Sequence, residues 1–256
     1  MTYRLPDTVP FLLVLARIAG LVVAAPLFGH LLVPLRVRAA LALVLTAALV
    51  SVVTPGPSPT GLLSLAGAVG LESALGVIMG LVAQFVFAGV MLGGQVAGMQ
   101  MGFGMASLID PQSHAQVTVV AQWQELLALL VFLVLDVHHL LLRALLASFQ
   151  AIPPGGLGIG SAGLAGVLTL AGDVFSLGVR VAAPVLLVVL LTNAALGVLA
   201  RTIPQVNVFV LGFPLNVGVG LVVLGAALPF TFRLLAARFA ALEPTLSGFI
   251  QEVAHG

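Results

Sequence analysis

The sequence contains no cysteine and no lysine, so all nine of its positive side chains are arginine. The absence of cysteine excludes disulfide bonds and thiolate-based metal or redox chemistry. Only 7% of the residues are charged, compared with roughly 25% in soluble domains, and so few charges cannot cover a surface that faces water. A net charge of +1 provides no basic surface for nucleic acid. These absences exclude an ordinary soluble domain and a nucleic-acid-binding protein.

What the sequence does have is long apolar segments, which make up most of a chain that is 61% hydrophobic. Several reach the roughly 20 residues that a helix needs to cross a bilayer, and they lack the alternation of a membrane β-barrel. We predict an all-α, polytopic membrane protein with about six hydrophobic helical segments arranged as hairpins, forming a single membrane domain over residues 1–256. The six segments are residues 10–28, 39–53, 61–100, 126–149, 164–200 and 215–232. Residues 233–256 are predicted to form a helix at the membrane surface.

The third segment, residues 61–100, is unusual because its forty residues contain a single charge, Glu72. A continuous helix of this length would be roughly 60 Å long, twice the hydrocarbon thickness, so the segment is either a helix that leaves the bilayer or a broken hairpin. Glycines four residues apart provide a flat face on which another helix packs closely. We predict helix packing at Gly76, Gly80, Gly89, Gly93, Gly94, Gly98 and Gly102.

The connection after this segment is apolar yet rich in glycine, which disfavours both a helix and an ordinary solvent loop. Five of the six methionines lie in residues 79–105. Methionine is flexible, so these side chains either fill gaps in a core or form a deformable seal. Non-helical backbone at membrane depth is tolerated only where protein buries it or where it lines a cavity. The predicted seal of a pore, or plug, consists of Met99, Met101, Phe103, Met105, Leu108, Ile109, Asp110 and Pro111.

The fourth segment carries ionisable residues, which are candidates for function inside a membrane. Asp136, His139 and Arg143 have the spacing of one helix face, whereas His138 lies about 100° around the helix. We interpret them as a buried polar face that packs on another helix; a proton relay or an ion site is the alternative. Adjacent histidines point in two directions on a helix, so a metal ion would need ligands from elsewhere, and we expect no metal site. The sequence has no nucleophile–base arrangement and no glycine-rich phosphate loop, so we expect no cofactor and no catalytic residues. Asp173 and Arg180 are interpreted in the same way, as a pair within one helix or at a subunit contact.

Several stretches together resemble the FliR family, the flagellar export-gate proteins, which are related to the SctT proteins of virulence type III secretion. The similar stretches are residues 26–29, 33–38, 101–113 (MGFGMASLIDPQS), 132–145 (FLVLDVHHLLLRAL), 148–149, 196–201, 204–209 and 211–214. The resemblance covers nearly the whole chain. One departure is Val137, where many members of the family have glycine.

The resemblance implies a structural pore subunit that translocates unfolded flagellar proteins across the bacterial inner membrane at the flagellar basal body. The implied partners are FliP-type and FliQ-type gate subunits, FlhB-type and FlhA-type export proteins, and membrane lipid. In the family the central loop plugs the closed pore, which corresponds here to about residues 102–113. The last connection is implied to contact other subunits through Arg201, Pro204, Gln205, Asn207, Gly212 and Pro214.

Three alternatives remain at this point. The chain could be an SctT-type subunit of a virulence system, although its central and C-terminal motifs are closer to FliR. A secondary transporter would use Asp136, His139 and Arg143 as a relay, but the sequence has no inverted repeat of interrupted helices. An intramembrane enzyme built on the histidine pair would require a metal ion.

Overall fold

The structure is a computed structural model that describes residues 8–29, 33–54, 56–57, 59–104, 117–156, 162–203 and 207–255. Within these ranges the regular structure is α-helical and no β-strand occurs, which confirms the predicted fold class. The described helices, numbered in chain order, are α1 (Thr8–Ala24), α2 (Leu35–Leu49), α3 (Leu62–Met101), α4 (Val119–Val134), α5 (Val137–Ala151), α6 (Ala162–Thr202), α7 (Val208–Ala226), α8 (Leu228–Ala240) and α9 (Leu242–His255).

Two of the described helices, α3 and α6, are long and apolar enough to cross a membrane individually. The number rises to four if each of two bent pairs, α4 with α5 and α7 with the helices that follow it, counts as one span. The apolar helix α1 has 17 residues, slightly fewer than the roughly 20 that a helix needs to cross a bilayer. The expected six spans are therefore not confirmed, because several apolar segments are interrupted where hydropathy alone shows no break.

Helix α3 is continuous over 40 residues. Of the two alternatives for residues 61–100, the structure therefore has the single long helix. Its interior contains no proline, and its glycines from Gly76 to Gly98 lie where other elements come close, so that packing compensates for their low helix propensity.

The predicted fourth span, residues 126–149, is not one helix. It breaks between Val134 and Val137, where Asp136 adopts a left-handed conformation with φ of 52°. Asp136 is the only residue other than glycine with positive φ in the described part of the chain. Because aspartate tolerates this conformation better than most side chains do, no glycine or proline marks the break in the sequence.

The last connection, predicted at residues 202–214 between the segments 164–200 and 215–232, is shorter than expected because α7 already begins at Val208. Asn207 starts the helix: its side-chain Oδ1 accepts a hydrogen bond from the backbone N–H of Val210 at 3.3 Å. Gly212 and Pro214 therefore lie inside α7, as Pro184 lies inside α6. The described residues 233–255 form the end of α8 and all of α9, with a turn at Ala241 between the two helices.

The chain divides into two compact units. Unit 1 comprises residues 1–85, 132–171 and 239–256, and unit 2 comprises residues 86–131 and 172–238. In unit 1, α2 packs on α1 and α9 packs on α5. Unit 2 has an apolar core, here called the methionine core, formed by Ala97, Met101, Val120, Ala182, Val185, Val189 and Leu224.

Candidate functional site

The end of α3 is set by a glycine in the left-handed region. Gly102 has φ of 101°, its N–H donates to the carbonyl of Met99 at 3.0 Å, and the N–H of Phe103 donates to the carbonyl of Gly98 at 3.0 Å. This pair of hydrogen bonds is a Schellman motif, which satisfies carbonyls at the helix terminus and turns the chain sharply away. The predicted plug segment therefore leaves α3 at a fixed point.

Met101 and Gly102 dock this helix end onto α7. Met101 is fully buried, and its Cγ, Cε and Sδ atoms lie 2.5–2.8 Å from where a Cβ on Gly220 would be. The Phe213 ring lies 2.8 Å from the corresponding position on Gly102. The structure thus brings the start of the predicted plug against the helix that contains Gly212 and Pro214 of the predicted subunit-contact connection.

The chain returns to α3 at the other end of the same segment. The backbone N–H of Thr118 donates to Oε1 of Gln95 at 2.8 Å, and its hydroxyl donates to the carbonyl of Gly94 at 3.4 Å. The Thr118 hydroxyl also accepts the N–H of Ala121 at 3.2 Å, which caps the start of α4. The described residues that flank residues 105–116 on either side therefore both contact the last turns of α3.

The predicted plug residues divide between described and undescribed parts of the chain. Met101 lies in the methionine core, Phe103 packs against that core, and Met99 is exposed. Met105, Leu108, Ile109, Asp110 and Pro111 lie outside the described residues.

All seven glycines predicted to pack lie against another element. In unit 1, Gly76 contacts the carbonyl of Arg17 in α1, and a Cβ on Gly80 would lie 2.6 Å from Cβ of Ala24. In unit 2 the glycines of α3 face two helices: Gly89 and Gly93 lie against Leu177 and Val181 of α6, and Gly94 and Gly98 against Ala121 and Thr118 at the start of α4. Gly102 meets Phe213, as described above. Different parts of the glycine ladder therefore receive different neighbours.

The described members of the predicted subunit-contact connection lie before residue 204 or after residue 206. Arg201 is exposed in the last turn of α6, where its positive charge complements the helix dipole. Gly212 is buried near Leu196, and Asn207 begins α7. Pro204 and Gln205 lie outside the described residues.

Unit 1 contains a buried ion pair whose partners were not matched to each other from the sequence, where Glu72 was left with either a partner on another helix or a place at the bilayer edge. Nε of Arg17 donates to Oε2 of Glu72 at 2.6 Å, and both side chains are 0% exposed. The guanidinium also donates to Oγ of Ser148 at 3.1 Å and to the carbonyl of Ile152 at 3.0 Å, and it lies 4.3 Å from the centroid of the Phe149 ring. Here these residues are called the ion-pair core.

The second oxygen of the same carboxylate is also satisfied. Oε1 of Glu72 accepts the backbone N–H of Gly155 at 2.9 Å, and Gly155 has φ of 84° in the turn after α5. A buried ion pair is tolerated when hydrogen bonds satisfy its remaining donors and acceptors, as they do here. The available sequence signal was Arg17 itself, a charge in the middle of an apolar helix.

The face predicted from Asp136, His139 and Arg143 is not buried within the chain. Because the helix breaks, Asp136 precedes α5 instead of lying on it, and its side chain is 71% exposed. The His139 side chain is 58% exposed, and Arg143 is exposed as well. Val137, the departure from the family pattern, is buried in the first turn of α5.

The expectation that the two histidines point apart is also wrong. The ring centroids of His138 and His139 are only 4.1 Å apart, and both rings approach Asp136.

Two polar contacts link α6 to other helices of unit 2. Asp173 was expected to pair with Arg180, but it lies 3.5 Å from Nη1 of Arg238 in α8, while Arg180 is exposed. Nδ2 of Asn216 in α7 donates to Oδ1 of Asn193 in α6 at 2.8 Å. The asparagines were not singled out from the sequence, although an amide within an apolar helix is a signal for a polar contact between helices.

Comparison with known proteins places this arrangement in a family. The family model of bacterial export proteins, family 1, matches residues 8–242. The chain is similar to the flagellar biosynthetic protein FliR of Escherichia coli strain K12, with 32% identity over 93% of this chain and 92% of the relative. FliR of Bacillus subtilis strain 168 is 36% identical over 84% of each chain, and FliR of Aquifex aeolicus is 30% identical over 92% of this chain and 91% of the relative.

The matched region contains α1 to α8, both described ends of the predicted plug segment and the ion-pair core. From a match of this extent, together with relatives above 30% identity over most of both chains, the chain belongs to the FliR family of bacterial export proteins.

Proposed function

We propose that this protein is a structural pore subunit of the flagellar type III export gate, in which it helps unfolded flagellar proteins to cross the bacterial inner membrane. The support comes from the family, from relatives named as flagellar biosynthetic proteins, and from apolar helices able to span a membrane. The role is architectural: the chain forms part of a channel wall and performs no chemical reaction. The flagellar names of the relatives favour this system over virulence secretion.

The observation that carries the proposal is the position of the two described ends of the predicted plug segment, Gly102 and Thr118. Both ends contact α3, by the Schellman motif at one end and by Gln95 and Gly94 at the other. Met101 and Val120, next to these ends, both belong to the methionine core, so the segment begins and ends beside one apolar core. We assign to this segment the plug of the closed pore, with Met99, Met101 and Phe103 at its base and Met105, Leu108, Ile109, Asp110 and Pro111 within it.

Partner subunits are part of the same proposal. Large apolar side chains are exposed along α6 and α7, including Phe175, Leu187, Leu190, Val210 and Val222. An exposed apolar surface of this kind requires lipid or another protein to cover it. We assign the protein cover to FliP-type and FliQ-type gate subunits, with FlhB-type and FlhA-type export proteins joining the assembly.

The export role is tested by removing the chain from the bacterium that makes it. The deletion strain should be non-motile, and its culture medium should lack hook and filament proteins while the cytoplasm still contains them. Restoring the native chain should restore secretion. Normal secretion of these proteins by the deletion strain would contradict the export role.

The plug assignment has a separate test. Met105, Leu108 and Ile109 are replaced together by serine, which keeps the length of the loop and removes its apolar bulk. Cells with this variant should take up a small membrane-impermeant dye while still exporting flagellar proteins. The matched control replaces two exposed apolar residues at the start of α3, Leu62 and Leu63, by serine and should remain tight to the dye. Unchanged dye uptake by the loop variant would refute the plug.

A further inference from the structure

We propose that Asp136, His138 and His139 form a binding site for a divalent transition-metal ion, for which Zn²⁺ suits the donors best. One donor atom from each of the three side chains lies within 4.8 Å of the other two. Oδ1 of Asp136 is 3.4 Å from Nδ1 of His139 and 4.0 Å from Nε2 of His138. Two imidazoles therefore converge on a single carboxylate oxygen.

These separations match the spacing that a small ion imposes on its ligands. Zinc binds imidazole nitrogen and carboxylate oxygen at about 2.0–2.2 Å, so two ligands of a tetrahedral ion are about 3.3–3.5 Å apart. The 3.4 Å separation already has this value, and the 4.0 Å separation requires a contraction of about half an ångström, within reach of a rotation of an exposed side chain. Two imidazoles and one carboxylate are also a ligand set found in zinc enzymes.

The backbone makes the carboxylate available. Asp136 occupies the N-cap position of α5, where an aspartate side chain ordinarily accepts a hydrogen bond from an N–H of the first turn. Here it makes no such bond, and Oδ1 lies toward the two imidazoles instead. The left-handed backbone of Asp136 places its carboxylate beside the first turn that carries the histidines, so the helix break creates the cluster.

Burial determines which histidine nitrogen binds. Nδ1 of His138 is buried and has no hydrogen-bond partner among the described residues, and its ring lies 6.4 Å from the ring of Phe132. Nε2 is therefore the nitrogen that His138 offers to an ion. The side chains of Asp136 and His139 are both more than half exposed, so water can reach the ion and complete its coordination.

A simple aspartate–histidine ion pair does not explain the arrangement. Such a pair requires one imidazole, whereas here a second ring lies 4.1 Å from the first at a tilt of 37° and approaches the same oxygen. A single divalent cation would bind one nitrogen of each ring and the carboxylate oxygen together, and it would hold Asp136 against the first turn of α5.

The test uses the purified full-length chain, freed of any affinity tag and of metal, with Zn²⁺ alone as the probe. Competition with a chromophoric zinc chelator should show one ion bound per chain, and Mg²⁺ should not compete because it prefers oxygen ligands. His138→Asn, His139→Asn and Asp136→Asn should each weaken binding by roughly tenfold or more. The control, His255→Asn in α9, should bind as the native chain does.

A spectroscopic measurement on the native chain keeps the proposal testable if a variant fails to fold. Co²⁺ bound in place of zinc should produce visible absorption bands, and X-ray absorption of the zinc complex should show two imidazole ligands. The proposal is overturned if the native chain binds no zinc stoichiometrically, if the bound zinc has no imidazole ligands, or if a folded His138→Asn or His139→Asn variant binds as tightly as the native chain.

Discussion

The two units are stabilised in different ways. The ion-pair core of unit 1 places a guanidinium and a carboxylate in full burial and satisfies each of them with further hydrogen bonds. The methionine core of unit 2 contains only apolar side chains, and glycines let its helices approach closely. Directional bonds between fixed partners specify one arrangement, because every displacement breaks a bond that water cannot replace.

Apolar packing around methionine behaves differently. A methionine side chain has three rotatable bonds, so it can change conformation and fill a gap after its neighbours move. No hydrogen bond or ion pair has to be broken for this change. Met101 and Phe103, at the described base of the proposed plug, belong to the methionine core or pack against it. The core of unit 1 and the part of unit 2 next to the proposed plug are therefore built from different chemistry.

The largest expected effect comes from breaking the ion pair. Arg17→Met leaves the Glu72 carboxylate buried without its partner and should lower the free energy of unfolding by about 3–5 kcal/mol. The double variant Arg17→Met/Glu72→Leu removes both charges and should recover much of this loss. The measurement is unfolding of the purified chain in a denaturing-detergent titration, with the exposed Arg36→Met as the matched control. The single variant Glu72→Leu is measured as well. If the double variant loses as much free energy of unfolding as Arg17→Met and Glu72→Leu lose together, the ion pair is not the source of the effect.

The methionine core should respond to lost volume and tolerate a change of shape. Met101→Ala creates a cavity and should lower the free energy of unfolding by about 2–5 kcal/mol, whereas Met101→Leu should cost less than about 1.5 kcal/mol. Met99→Ala, two residues away on the same helix and exposed, is the control and should change stability little. If Met101→Ala and Met101→Leu lower the free energy of unfolding equally, the methionine core tolerates a change of side-chain shape no better than the ion-pair core does.

Replacing glycine by alanine should change the stability of the chain in opposite directions at two sites of α3. A Cβ on Gly80 would meet Ala24, including its backbone carbonyl carbon at 2.9 Å, so Gly80→Ala should destabilise the chain by about 1–3 kcal/mol. Nothing lies within 4 Å of the same position on Gly67, so Gly67→Ala should stabilise the helix by roughly 0.5–1 kcal/mol. Thermal unfolding of the two purified variants side by side tests this; shifts of the same sign would contradict it.

The smallest effect is expected at the partly exposed pair in unit 2. The side chain of Asp173 is 55% exposed and that of Arg238 is 27% exposed. Asp173→Asn should therefore change the free energy of unfolding by only about 0–1 kcal/mol, and added salt should reduce the difference further. A loss as large as that of Arg17→Met would show that water does not screen this pair.

Some of this architecture could be predicted because its signals are local. The bounds of α3 were close to those of the predicted segment 61–100, because an apolar stretch without proline is visible in consecutive residues, but the choice between one helix and a broken hairpin was settled only by the structure. The family resemblance was readable for the same reason, since its motifs are short and contiguous.

Other features depend on contacts that a linear pattern does not contain. Arg17 and Glu72 are each visible as a charge in an apolar segment, but their pairing across 55 residues follows from the packing of α1 on α3. The break at Asp136 is hidden because leucine and valine continue on both sides of a residue with an unusual backbone conformation. The metal-site proposal depends on that missed break, since the left-handed backbone at Asp136 places its carboxylate beside the first turn of α5, which carries both histidines.

The distance along the chain between Arg17 and Glu72 also has a consequence for biosynthesis. The arginine is made 55 residues before the carboxylate that neutralises it. At a synthesis rate of about 5–20 residues per second, the nascent protein carries an uncompensated guanidinium in its first helix for roughly 3–11 seconds. During that interval the guanidinium lacks the carboxylate that it pairs with in the folded chain, so α1 cannot complete its final contacts until the third helix emerges. The order in which the helices leave the ribosome is therefore not the order in which they can complete their fold.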